Sequence, residues 1–258
     1  MLALPISGVR ATWRTVTGRD DIALADGAPG LAGAVDHLGR VVTFDPVIAL
    51  PDVPVGDVDL LVVWERSGTR GDTMVAEGRC GSCFEPVDVR FSLDAYVEHH
   101  RPRSSRRAES LGDGWFALRD GAAAFRLPAV GDVLSAAASS DPRAELLKRC
   151  LREPASAAIA RAVESAMARL GPTLRAAVSG TCPECGAAFD LEVDVRELCM
   201  EELRRDANAV YDDVNLIATA YGWSQDEILD MPSDRRRRYA DTIVGRLPGV
   251  RSRELTDA

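Results

Sequence analysis

Cys80-Gly81-Ser82-Cys83 and Cys182-Pro183-Glu184-Cys185 are the stretches whose reading decides this fold. Each offers two thiols with a two-residue spacer, which lets both sulfurs reach one ion while backbone N–H groups of the turn point at them. Four thiolates in two such pairs suit tetrahedral zinc, so Cys80, Cys83, Cys182 and Cys185 are expected to hold one structural Zn2+ per chain. The surroundings repeat too. At an offset of 102 residues Val87 matches Phe189, Asp88 matches Asp190, Val89 matches Leu191 and Phe91 matches Val193. Two knuckles, each entered and left by strands, predict a zinc ribbon built from distant halves.

Distance along the chain does not forbid a shared site. Between Cys83 and Cys182 lie 98 residues. Closing such a loop costs roughly 4 kcal/mol, against about 10 to 16 kcal/mol from zinc on four thiolates. Three other arrangements compete on the residues alone: metal-free thiols, a thioredoxin-like redox pair, and two separate two-ligand sites completed by a second chain. The redox pair needs its C-x-x-C at the head of a helix in a βαβ unit, whereas both pairs here are flanked by strands. The knuckles differ just after their last cysteine, where Gly186 accepts a left-handed backbone and Phe84 predicts strain or a variant turn. Cys150 and Cys199 fall on apolar helix positions and are expected in the core.

The chain has 258 residues, 46% of them hydrophobic and only 5% aromatic, so the core should be aliphatic and largely helical. Forty acidic against 31 basic side chains, a formal charge of -9, disfavour binding to phosphate backbones and favour a protein partner. No signal peptide or membrane-spanning run is evident, which predicts a cytoplasmic protein with no membrane contact. In that reducing compartment paired cysteines read as metal or redox sites rather than disulfides.

Four regions follow from a pass along the chain: an N-terminal helical segment at 1–56, hairpins with the first knuckle and a basic connector at 57–127, a helical region with the second knuckle at 128–247, and a disordered tail at 248–258. The fold class is α+β, a mainly helical body with small hairpins and the ribbon. TGRDDIALADG and LAGAVDHLGRVV predict two helices, the first capped by Thr17 with Asp20. VDLLVVWE reads as a buried strand, SGTRGD as a turn and TMVAEGR as the returning strand. VDVRF is a strand, SLDAYVEHH a helix capped by Ser92, RPRSSRRAES a polar connector, and Asp120-Gly121 a two-residue hairpin turn. Asp141-Pro142 starts a helix, and Ile159, Val163, Met167 and Leu170 stripe the next one. Arg196 to Tyr221 reads as one long helix stopped by Gly222. Ser224 with Glu227 caps a short helix, and Pro232-Ser233 opens the last, which carries Tyr239, Ile243, Val244 and Leu247.

Catalytic candidates do not emerge. His37, His99 and His100 belong to no G-x-S-x-G, H-E-x-x-H or phosphate-loop pattern, and no catalytic residue is assigned. Asp88, Asp190 and Asp194 lie near the cysteines, but a closed four-sulfur site leaves no position for water, so they are read as hydrogen-bond acceptors or solvated groups. Two basic runs, Arg101, Arg103, Arg106, Arg107 and Arg235 to Arg238, are read as ion pairing or a charged protein interface, the second because Asp226, Glu227, Asp230 and Asp234 precede it. The segment Tyr221 to Val244 concentrates Trp223, Tyr239 and four arginines, so it reads either as a docking face or as core support.

The motif order FRLPAVGDVL, DPRAELLKRCL, GTCPECGAAFDLEVDV and AYGWSQDEILDMPSDRRRRYADTI resembles the T-even phage type baseplate hub assembly chaperone family. The match is best over Phe125 to Val244, and TGRDD, VGDVDLLV and the first cysteine pair look like its longer members. Asp230-Met231-Pro232 departs from a Leu-Ser step common there, and Phe84 from the usual knuckle; neither touches the ligand set. The resemblance implies a non-enzymatic assembly factor acting on a baseplate hub or other baseplate protein of a contractile tail or phage-derived injection system. A permanent baseplate subunit and a zinc-ribbon nucleic-acid regulator are the alternatives.

Overall fold

The computed structural model describes residues 1–246, so the tail expected at 248–258 and the apolar position Leu247 lie outside the described residues. A small antiparallel sheet opens the chain: β1 (Leu2–Ala3), β2 (Arg10–Trp13) and β3 (Val42–Asp45), paired in that order. Strands of two to four residues are too short to display a period of two, and the sequence reading has none of them. Between β2 and β3 run the two expected helices, α1 (Gly18–Ala25) and α2 (Gly30–Val41). The Asp20 carboxylate accepts the Thr17 N–H at 2.9 Å, the contact read from their spacing.

The largest correction is α3 (Val55–Arg70). VDLLVVWE and most of SGTRGD form one 16-residue helix ending at Gly71, whose φ of 75° only glycine adopts freely. Val55, Val58, Leu61, Val62 and Val63 are all buried, and an apolar run covered on several sides has no period to separate helix from strand. Two carboxylates carry the missed signal. In a strand Asp57 and Asp59 would share a face, but on a helix they lie about 200° apart and reach different segments. Asp57 accepts N–H groups of Ile6 and Ser7, and Asp59 accepts the Leu174 N–H and an Arg196 guanidinium, each at 2.8 to 3.1 Å. Burial pushes both carboxyls above their ordinary range, and the bonds pull the other way.

Beyond α3 come the hairpin β4 (Thr73–Arg79) and β5 (Pro86–Ser92), then α4 (Leu93–His99), with the Ser92 hydroxyl accepting from Ala95 N–H. The basic connector is tied down: Arg103 N–H donates to Arg169 O at 2.7 Å, Ser105 is buried, and its end enters β6 (Ala108–Gly112). β6 pairs with β7 (Trp115–Leu118), and β7 with β8 (Ala124–Arg126). The expected two-residue turn is a five-residue connection, Arg119 to Ala123, in which the Asp120 side chain accepts from Ala122 N–H and Gly121 takes φ 72°. Side-chain capping by Asp120 makes the longer turn self-sufficient.

Three helices follow, α5 (Val130–Ala137), α6 (Pro142–Cys150) capped by Asp141, and α7 (Ala157–Leu170). Cys150, Val163 and Met167 are buried with Phe125 in a second core beneath β6 to β8, with Ile159 and Leu170 packed against it. The hairpin β9 (Arg175–Thr181) and β10 (Ala188–Asp194) leads into α8 (Val195–Ala207) and α9 (Ala209–Tyr221). The single long helix expected here is interrupted at Asn208, whose side chain donates to Arg204 O while its own carbonyl accepts from Tyr211 N–H, a tighter three-residue step. Gly222, with φ 70°, ends α9; the capped turn α10 (Gln225–Leu229) and the last helix α11 (Ser233–Val244) then close the described chain. The main core runs from the N-terminal sheet through α2, α3 and the hairpins to α8, so the mixed helical and hairpin architecture agrees with the class read from the sequence.

Candidate metal centre

Each cysteine pair caps a hairpin, and the two hairpins are one unit used twice. The offset of 102 holds for both strands, for the helix that follows, and for its capping residues Ser92 and Asp194. Turn bonds match as well: Cys80 N–H to Glu85 O and Cys182 N–H to Ala187 O are both 2.9 Å, as are Phe84 N–H to Cys80 O and Gly186 N–H to Cys182 O. Beyond the unit the likeness ends. α8 packs on α3, whereas α7 belongs to the second core.

The units meet at their tips. Cys80 Sγ lies 3.7 Å from Cys185 Sγ, and Cys83 Sγ 3.7 Å from Cys182 Sγ, the exchange of partners that a two-fold relation requires. All four sulfurs fall within 4.8 Å of one another, close enough to hold one metal ion. Every predicted ligand is therefore in one place, and neither pair stands apart as a separate site. Val87, Ala187 and Phe189 pack around the sulfurs; Cys80 and Cys182 are buried, Cys83 is half-buried and Cys185 is exposed.

Backbone N–H groups of Cys83 and Ser82 favour the Cys80 thiolate and pull its pKa down to about 6. The Glu85 N–H likewise favours the Cys83 thiolate, yet burial and the neighbouring sulfurs outweigh it and push that thiol up to about 12. Four sulfurs at this spacing resist sharing four negative charges unless a cation stands among them. A metal ion bound among them would displace the thiol protons to solvent, the usual coupling at a thiolate site.

The strain expected at the first knuckle is present. Phe84 sits at φ 63° where its counterpart Gly186 sits at φ 71°, and its ring is 71% exposed. A left-handed backbone costs a non-glycine residue roughly 1 to 2 kcal/mol, part of which glycine returns as greater freedom in the unfolded chain. Phe84→Gly is therefore expected to leave the melting temperature unchanged or raised. Gly186→Ala, which imposes the same strain on the other knuckle, should lower it by roughly 2 to 4 °C. Thermal melts of the two variants check this.

Other sequence candidates go elsewhere. Asp190 accepts from the Ser179 hydroxyl, Asp194 caps α8 and pairs with Arg196, and Asp88 faces solvent. Cys150 and Cys199 are fully buried, and burial pushes their thiols up to about 11 and about 12. The arginine run divides. Arg235 and Arg238 are exposed and Arg237 half-buried, but Arg236 is completely buried, 2.7 Å from Asp21 and 2.9 Å from Asp213. Asp226 and Asp230 bind Arg19 rather than this run. Comparison with family models, curated protein sequences and solved structures finds no match to this chain. Among the described residues no helix is long and apolar enough to cross a membrane.

Proposed function

We propose that the four cysteines hold one structural zinc ion, and that the protein is a non-enzymatic assembly factor for the baseplate hub of a contractile tail or phage-derived injection apparatus. The observation that carries the zinc reading is the 3.7 Å edge between sulfurs of opposite hairpins. With zinc–sulfur bonds of about 2.3 Å, a regular tetrahedron has edges of about 3.8 Å. Four sulfurs complete the coordination shell, so such an ion clamps rather than catalyses. It fixes the first hairpin, held by α3 and α4, against the second, which delivers α8 onto α3. Metal analysis of the purified chain should return one zinc per chain; iron in its place, or no metal, would reject zinc.

The assembly role rests on the motif order over Phe125–Val244 and on acidic charge suited to a protein partner. A docking face is available at the C-terminal helices, where Tyr221, Trp223 and Tyr239 form a mutual ring cluster with centroids 5.2 to 5.8 Å apart and Arg235 lies over Tyr239. Tyr221 is 39% exposed. Replacing Tyr221 and Arg235 together by serine should lower the melting temperature by no more than roughly 3 °C, since both lie at the surface. The same change should weaken capture of a co-expressed hub protein by about ten-fold, as loss of an aromatic and arginine anchor does. Normal, contracting particles from a strain lacking the protein would reject the assembly role. Its presence in purified particles would assign a permanent subunit instead, and a salt-sensitive complex with DNA or RNA a regulator.

A further inference from the structure

Phe84 stands apart from the other exposed aromatic side chains of the described residues. Trp64 stacks on Trp13, Tyr221 stacks on Trp223, and the Tyr211 hydroxyl donates to Asp26. The Phe84 ring, 71% exposed, has no ring or guanidinium stacked on it among the described residues, and the small core around the sulfurs does not include it. A lone exposed apolar side chain needs no explanation by itself. The backbone beneath this one does. At φ 63° Phe84 holds a conformation that its twin Gly186 adopts without strain at φ 71°, so the chain keeps an aromatic ring where the fold gains nothing from it and glycine would fit better. Strain that the fold does not need points to a use outside the fold.

The ring also stands on a firm base. Phe84 N–H donates to Cys80 O at 2.9 Å, Arg79 Nη1 donates to Phe84 O at 3.2 Å, and the Cys83 contact with Cys182 of the other hairpin lies one residue away. A large ring on a fixed backbone loses little freedom when it is covered, which is what an interface anchor requires. Charge selects the kind of partner. The two turns carry the exposed carboxylates Glu85 and Glu184, and Arg79 at the foot of the first offsets only one of them. The tip therefore lacks the cationic surplus that a phosphate backbone or an anionic lipid surface demands, and an apolar pocket of a protein remains.

We propose that Phe84 anchors the first knuckle in an apolar pocket of the partner protein; with the baseplate hub protein as that partner, the inference rests on the assembly role proposed above. The test titrates the full metal-loaded chain with purified hub protein and compares it with Phe84→Gly and Phe84→Asn, two residues that accept the left-handed backbone. Both variants should keep the metal content and melt no lower than the parent chain, yet bind the hub about ten-fold or more weakly, as loss of a central aromatic anchor does. Weakening by less than this in the folded variants would overturn the anchor and leave the assembly role standing. No binding by the parent chain would overturn both. Sedimentation of the chain alone reads the remaining occupant: dimers that Phe84→Gly dissolves would assign the ring to a second copy and overturn the hub contact.

Discussion

Cys182→Ser is expected to remove the metal from the whole chain, first knuckle included, and to melt the protein at a much lower temperature. The reason is the exchange of sulfur partners: Cys182 contacts Cys83 of the other hairpin, so an ion held among the four sulfurs would belong to neither hairpin alone. A serine hydroxyl binds zinc far less well than a thiolate. If only about 4 kcal/mol of the usual 10 to 16 kcal/mol is forfeited, the melting temperature falls by roughly 8 to 16 °C for a chain of this size. Cys80→Ser should behave the same way, being the two-fold equivalent, and the double variant should be little worse than either. Metal content per chain and thermal melts decide it; stoichiometric zinc in Cys182→Ser would mean that the hairpins hold metal separately.

Arg236→Ala should be the most damaging single change outside the cysteines. Its guanidinium is 0% exposed between Asp21 and Asp213, so truncation strands two inward-facing carboxylates and opens a hole between α1, α9 and α11. Breaking a buried pair in this way costs about 3 to 5 kcal/mol, or roughly 6 to 20 °C in melting temperature. Arg235→Ser with Arg238→Ser, one position before Arg236 and two after it on the helix's exposed flank, should change it by roughly 2 °C or less. Equal melts for the two variants would show that burial of Arg236 contributes nothing.

That contrast marks how far the sequence could be read. Four arginines in a row look alike on paper, and helical spacing alone turns one of the four inward without saying which. The acids that neutralise Arg236 are Asp213, on the preceding long helix, and Asp21, more than 200 residues away, rather than the nearer Asp226 or Asp230. The four cysteines were legible because their chemistry needs a particular spacing, and the hairpins because strands and turns around them recur at one offset. The strand assigned to VDLLVVWE failed for a different reason. A valine-rich run buried on several sides carries no periodicity, and the partners of Asp57 and Asp59 lie in remote segments. His37 and Glu65 are 28 residues apart and Trp13 and Trp64 farther still, so their contacts exist only once β2, α2 and α3 have packed.

The offset of 102 residues also has a clock attached to it. A ribosome adds about 5 to 20 residues per second, so the first knuckle leaves the tunnel roughly 5 to 20 seconds before the second. Its own turn bonds can form at once, since Cys80 N–H to Glu85 O and Phe84 N–H to Cys80 O are local. The four-thiol cluster cannot. For that interval Cys80 and Cys83 are half of a four-thiol cluster on a nascent chain, and the cluster is complete only once synthesis has passed Cys185.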